Sequence, residues 1–410
     1  MAAPCPSSSE GERVDPIHPN ARHAAPARRT RVVAAPLLLC LLASQAALVV
    51  VNPLLAEVAR DLDVSIATAG QLRTISGLAA GATALSTGLF AARIGLRELL
   101  GAGIGILALG SLLSAVAPGF VVLVVAQAIV GAGIGISYSA ALAAAAEWAP
   151  PGEKSRVLAF ALLGPPLAWI IGMPVIGLVG EASWRLAWLA VPVATAVVAA
   201  AFLARRPSTP PAEIRAPLRT VLTYPGIARW SSGELLAFSG WAGALVFMGA
   251  LFVESYGLSV AMTGLALGVG ALVYVPGNLL FRRWVDEHGR RLLIGLALAA
   301  AATVAVLGTF RPSAWFSLGM FALLSFIAGG RTLAGSARGL DLAPELRLGV
   351  TGVRTAALQL GYFVGAAVGG AALAWGGYTA LGLAFAALFV GATVPHLLPH
   401  GSGSPSPSLP

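Results

Sequence analysis

The sequence predicts an all-α integral membrane protein, with twelve transmembrane helices in two pseudo-symmetric six-helix halves around a central cavity. Three observations carry this reading. Apolar residues fill 57% of the 410 positions and charged residues only 10%, against roughly 25% charged in soluble domains, so water cannot cover most of this surface. Apolar runs of about 20 residues, the length that crosses a bilayer as a helix, recur along the whole chain. The second half of the sequence also echoes the first at a nearly fixed offset.

In order, the runs cover 32–56, 67–92, 98–117, 120–146, 157–179 and 186–204, then 231–253, 261–281, 292–310, 315–337, 349–373 and 379–397. Their length selects helices, because a barrel strand needs only about 9–11 alternating residues. Residues 32–204 thus form one half and 231–397 the other, joined by a cytoplasmic linker at 205–230. The tails, 1–31 and 398–410, are rich in Pro, Ser and Gly or Arg and read as disordered. Two cysteines, Cys5 and Cys40, are too few for a disulfide framework.

Orientation follows from the positions of 26 lysines and arginines. With an even number of spans both ends share one side. That side holds five in the N-terminal tail and then Arg93, Arg97, Lys154, Arg156, Arg205, Arg206, Arg215, Arg219, Arg229, Arg282, Arg283, Arg290, Arg291, Arg338 and Arg347. The opposite side holds Arg60, Arg185 and Arg311. Both termini are predicted to be cytoplasmic, in a multi-pass protein of the plasma membrane. The net charge of +9 is then a topology signal and not a nucleic-acid patch.

A shift of 194 residues aligns Ser65 with Ser259, Gly70 with Gly264, Gly95 with Gly289, Arg97 with Arg291 and Gly101 with Gly295. A shift of 193 pairs Pro151 with Pro344, Gly172 with Gly365 and Gly177 with Gly370. Each half carries a Gly- and Arg-bearing connection between its second and third helices, GLFAARIGLR (88–97) and RRWVDEHGRR (282–291). The spacing predicts tight cytoplasmic turns whose arginines bond the carbonyl ends of neighbouring helices. They are expected to act as a latch during rocking of the halves.

These two stretches resemble the G-x-x-x-D-R-x-G-R-R signature of the major facilitator superfamily, whose transporters have twelve helices in two six-helix halves. Position by position, the first copy supplies Gly88, Arg93, Gly95 and Arg97, with Ala92 in the aspartate position and Leu96 in an arginine position. The second keeps Asp286, Gly289, Arg290 and Arg291, with Arg282 and Glu287 as departures. Gly172, Pro174 and Gly177, followed by Trp184 and Arg185, resemble a helix-packing stretch of the superfamily's drug- and arabinose-efflux-like branch. The resemblance implies secondary transport of a small organic solute by alternating access, as efflux and with proton coupling, by a monomer. An importer, or a sensor of the same fold without flux, are the alternatives.

The hexapeptide GAGIGI occurs at 101–106 and 131–136. It is not a nucleotide loop, because no Asp or Glu lies between Glu98 and Glu147 to bind a ribose. Gly101/Gly105 and Gly131/Gly135 are expected instead to be close-packing G-x-x-x-G faces.

Ionisable groups inside apolar runs are functional candidates by default. Arg73, Arg331 and Arg354 are such groups, and the last two are expected to form a cationic patch suited to an anionic solute. Gln45, Asn52, Gln71, Gln127 and Gln359 supply hydrogen bonds for a substrate cavity. Trp169, Trp241 and Tyr362 supply apolar walls. Glu234, in WSSGELLAF, is the proton-coupling candidate. The chain has no G-x-x-x-x-G-K-[ST] loop, no D-D-x-x-D, H-E-x-x-H or G-x-S-x-G pattern, and Ser336 has no evident partner. Primary active transport and enzymatic chemistry are therefore not expected, nor any cofactor or metal.

Overall fold

The structure, a computed structural model, describes residues 19–91, 93–206, 218–343 and 346–397. Every regular element among them is helical. The first is α1 (Pro19–Val49), followed by α2 (Val51–Asp61), α3 (Ile66–Ala91), α4 (Leu96–Ala115) and α5 (Phe120–Glu147). Next come α6 (Lys154–Ala161), α7 (Gly164–Leu167), α8 (Met173–Ala182), α9 (Trp184–Trp188) and α10 (Ala194–Ala204). The remainder are α11 (Leu218–Thr223), α12 (Ile227–Tyr256), α13 (Val260–Leu272), α14 (Tyr274–Leu280), α15 (Arg282–Thr309), α16 (Ala314–Leu342), α17 (Arg347–Gly391) and α18 (Val394–Leu397). The tail residues 1–18 and 398–410, and linker residues 207–217, lie outside the described residues.

Breaks between these helices follow from proline and glycine. Pro53 has no N–H for the carbonyl of Val49, and the helix is interrupted there, between α1 and α2. Pro174 likewise offers nothing to Ile170, and the backbone widens into a π turn over Ala168–Gly172. Pro192 lies inside a second π turn, Leu189–Val193. Gly377, at φ 63° and ψ −156°, occupies a region essentially closed to other residues, and with Gly376 it breaks α17 into two helices.

Ten helical stretches among the described residues are long and apolar enough to cross a membrane. The last of these, Gly349–Leu397, has 49 residues, about 70 Å of helix if straight, more than twice a bilayer's apolar core, and it is the stretch that turns at Gly376–Gly377. With 26 residues, α3 is also long enough to cross a bilayer. Large apolar side chains such as Val116, Val121, Leu178, Val197 and Leu279 are exposed, as a lipid-facing surface requires. Trp315 and Trp375, at helix ends, are exposed in the manner of interfacial anchors.

Two expectations from sequence are corrected here. The first helix starts at Pro19, inside the stretch expected to be a disordered tail. Residues 282–291 are not a turn but the first part of α15, so Gly289 meets nothing within 4 Å and serves no turn.

The two GAGIGI stretches behave differently. Gly131 and Gly135 press against the backbone of α3 at Ser76 and Ala80, so a side chain there has no room. Gly101 and Gly105 are exposed, with nothing within 4 Å. The packing register of α4 is instead carried by Gly103, where a Cβ would lie 2.8 Å from the Ser137 nitrogen, and Gly110, where it would lie 2.6 Å from that of Val130. Gly101→Leu is expected to leave the melting temperature unchanged or slightly raised, since it adds helix propensity at an open site. Gly103→Leu is expected to lower it by several degrees through overpacking, both read by thermal unfolding in detergent.

A long seam joins helices of residues 32–204 to helices of residues 227–397 near the end of the bundle that carries Asp61. A Cβ on Gly264 would lie 2.6 Å from the Met173 carbonyl and 2.8 Å from the Gly177 Cα, and Gly268 rests on Pro174. Gly77 meets the backbone of Phe363, Gly370 meets Ala67 and Gln71, and Gly249 meets the carbonyl of Asn52. The Glu181 carboxylate accepts a 2.6 Å bond from the Ala261 nitrogen across the same seam. Gly177 is thus a packing residue, whereas a Cβ on Gly172 would make ordinary contacts at 3.8 Å.

Candidate functional site

Three of the charged residues singled out from sequence come together. Glu234 on α12 is 1% exposed and is the one fully buried acid among the described residues. Its Oε1 accepts from Arg331 Nη1 at 2.9 Å and its Oε2 from Arg354 Nε at 3.2 Å. Arg331, on α16, also donates to the Gly233 carbonyl at 2.9 Å, and Arg354, on α17, to the Thr332 carbonyl at 3.2 Å. Gly335 makes the approach possible, because a Cβ there would run into the Glu234 carboxylate. Trp230, one turn before Glu234, donates its indole N–H to the Gly335 carbonyl at 2.9 Å.

This changes the expected chemistry. Arg331 and Arg354 do not form a bare cationic patch, because one carboxylate binds both. Such a cluster is costly to assemble in a low-dielectric interior and costly to break.

Arg73 stands apart from that cluster. It is 0% exposed, donates through Nη1 to Ser76 Oγ at 3.2 Å, and lies 4.7 Å over the ring of Tyr362. Tyr362 in turn accepts from Gln45 Nε2 at 3.2 Å, so α1, α3 and α17 meet through Gln45, Arg73 and Tyr362. No described acid pairs with Arg73, and its Nε and Nη2 have no protein acceptor.

Where the sequence predicts a cavity wall, the structure has a ring cluster. Trp169 and Trp241 are 6.3 Å apart, Tyr274 lies 5.2 Å from the first and 6.1 Å from the second, and Phe321 stacks 6.0 Å from Trp241. The indole N–H groups of both tryptophans are buried without a protein acceptor. The expected central cavity is therefore filled with side chains at this level. A cavity of about 20 Å³ among Phe247, Met248, Tyr378 and Phe385 has room for little more than one water.

The remaining predicted polar residues scatter. Gln127 donates to Ser114 Oγ at 3.0 Å, a contact between α5 and α4 that leaves it outside the group around Arg73. Asn52 is fully buried with neither side-chain atom paired, and Gln359, three residues before Tyr362, has an unpaired Nε2.

The arginines of the two repeated stretches cap helix ends. Arg97 donates to the carbonyls of Leu203 at 3.1 Å and Ala204 at 3.4 Å. Arg290 donates to the carbonyl of Leu397 at 3.2 Å. Each of these bonds joins residues of the same sequence repeat. Arg93 and Arg291 are exposed and Gly95 precedes α4 as its N-cap, while the side chain of Asp286 and the surroundings of Gly88 lie outside the described residues.

Sequence reasoning missed Asp61. Its carboxylate accepts from Arg185 at 2.7 Å and from the Trp184 indole at 3.0 Å, and Arg185 also reaches the Ala117 carbonyl at 3.2 Å. The Trp-Arg pair thus ties the start of α9 to the ends of α2 and α4. Ser76, Tyr274 and Phe321 were also missed, having no charge or motif to single them out.

A profile of the family described as the Major Facilitator Superfamily matches residues 37–232 and again 230–408. The chain is 27% identical over 368 residues to the transcription regulatory protein OpdE of Pseudomonas aeruginosa, covering 86% of this chain and 90% of that one. It is 26% identical over 338 residues to a chloramphenicol efflux pump of Mycobacterium tuberculosis, covering 77% and 79%. In fold it is similar to a crystal structure of a D-xylose-proton symporter, with a TM-score of 0.71 at 16% identity over 91% of this chain and 99% of that one. With two matches spanning nearly the whole chain, on a lipid-facing helical bundle with ion pairs in its interior, the protein belongs to the major facilitator superfamily and is a membrane transporter, not an enzyme.

Proposed function

We propose that this protein is a secondary active transporter that exports a small organic solute across the plasma membrane by alternating access. It works as a monomer with both termini in the cytoplasm. The ten apolar stretches become twelve crossings when α3 is added and the last is counted as two, and these form two six-helix halves. The observation that carries the reading is the buried Glu234 held between Arg331 and Arg354. A lone acid in the interior, bound by two cations on two other helices, is suited to exchanging a proton as those helices move. Similarity to a chloramphenicol efflux pump supports the export direction.

The test is flux in proteoliposomes, with labelled chloramphenicol and labelled xylose as probes under an imposed pH gradient. The expected result is gradient-driven flux of at least one probe, reduced at least about tenfold in Arg331→Ala and Arg354→Ala. Unchanged flux in both variants would remove the cluster from the mechanism. The relative named as a transcription regulatory protein favours a second reading, a sensor of this fold. Probe-dependent tryptophan fluorescence without flux would select it.

A further inference from the structure

Among the described residues, three arginines lie inside the bundle, and one of them has no protein counter-charge. Arg331 and Arg354 share Glu234, whereas Arg73 is fully buried, pairs with no described acid, and has a serine hydroxyl and a tyrosine ring as its side-chain partners. An uncompensated guanidinium in a membrane interior is expensive and marks a functional position.

The two nitrogens without a protein acceptor are informative. Nη1 is used by Ser76, which leaves Nε and Nη2. Those two share one edge of the planar guanidinium, with parallel N–H bonds at the spacing of the two oxygens of a carboxylate. That edge is buried and unbonded, with the guanidinium carbon 4.7 Å over the Tyr362 ring and the Tyr362 hydroxyl accepting from Gln45. The hydroxyl proton of Tyr362 remains available as a third donor, since the tyrosine oxygen accepts from Gln45.

We propose that the free edge of Arg73 binds the carboxylate of a monoanionic organic acid, which is the transported solute. This rests on the transport reading above and names the substrate class within it. One uncompensated positive charge calls for one negative charge, and two parallel donors suit a planar carboxylate better than a phosphate, whose further oxygens would find few donors here. The position also fits a carrier. Arg73 lies on α3 one turn from Gly77, which packs on the Phe363 backbone of α17, so separating α3 from α17 opens the seam beside it. A carboxylate bound there neutralises the cation before the seam closes over it.

The experiment uses the purified full-length chain in detergent and reads melting temperature, with no flux involved. Sodium benzoate, octanoate and lactate are each compared with benzamide, octanamide and lactamide, with inorganic phosphate as a further arm. At least one carboxylate is expected to raise the melting temperature, by about 5 °C at a hundredfold excess over its Kd, while its amide does not. The shift should vanish in Arg73→Gln, need about tenfold more ligand in Arg73→Lys, which keeps the charge but loses the fork, and persist in the surface variant Arg60→Gln.

A second readout needs no ligand. Arg73→Met is expected to melt higher than the parent in carboxylate-free buffer, because it removes an unpaired buried charge, whereas an arginine kept for structure would give a lower value. The proposal is overturned if no carboxylate outperforms its amide, if phosphate alone binds, if Arg73→Gln keeps the response, or if Arg73→Met melts lower. Flux with an intact carboxylate-independent Arg73→Gln variant would sink this inference and leave the transporter reading standing. Carboxylate binding without flux would do the reverse.

Discussion

Glu234→Gln is expected to destabilise the protein by about 3–5 kcal/mol, the cost of stranding two buried guanidinium groups without their shared counter-charge. Both Arg331 and Arg354 would then face each other through a neutral amide that can accept through only one oxygen. The change should appear as a loss of many degrees in thermal unfolding. The informative partner is the triple variant Glu234→Leu, Arg331→Met, Arg354→Leu, which removes the whole cluster. It is expected to fold with stability near the parent, because desolvating three charges costs about what their attraction returns. A stable triple variant without gradient-driven flux separates the cluster's role in transport from its role in folding. If Glu234→Gln melts like the parent, the ion pairs are not formed in the membrane protein.

Gly264→Val should stop the seam near Asp61 from closing. The new side chain would begin 2.6 Å from the Met173 carbonyl and 2.8 Å from the Gly177 Cα, both of them backbone and unable to swing aside. Because α13 meets α8 across the boundary between the two sequence repeats, the protein is expected to accommodate the valine by keeping that seam apart and not by unfolding. Flux is expected to fall by at least about tenfold. Spin labels at Arg60 and Ser255, exposed ends of α2 and α12, should report a longer mean separation than in the parent. An unchanged separation with full flux would show that the helices do not approach this closely in the membrane.

How much of this was readable from the sequence depends on the kind of fact. Spans were readable because burial in lipid is a property of composition, and the structure's apolar stretches fall where the apolar runs do. The break in α17 at Gly376–Gly377 falls between the runs at 349–373 and 379–397, where glycine gives the chain its turn. Charged residues were readable as a class, since any arginine inside such a run must be satisfied somehow, but their partners were not. Arg331 and Arg354 were expected to stand together without a counter-ion because Glu234 lies about a hundred residues away in sequence, a separation that no local pattern bridges. Gly101 and Gly103 differ only in which side of α4 faces α5, and a G-x-x-x-G spacing marks a face without saying which neighbour covers it.

Arg97 and Arg290 grip the last carbonyls of α10 and α18, at separations of 106 and 107 residues. Each bond therefore joins the early part of a repeat to its final turn. During synthesis the first can be made once Leu203 has left the ribosome, while most of the second repeat is still to come. The amino-terminal repeat thus carries its own fastening and has no need to wait for its counterpart.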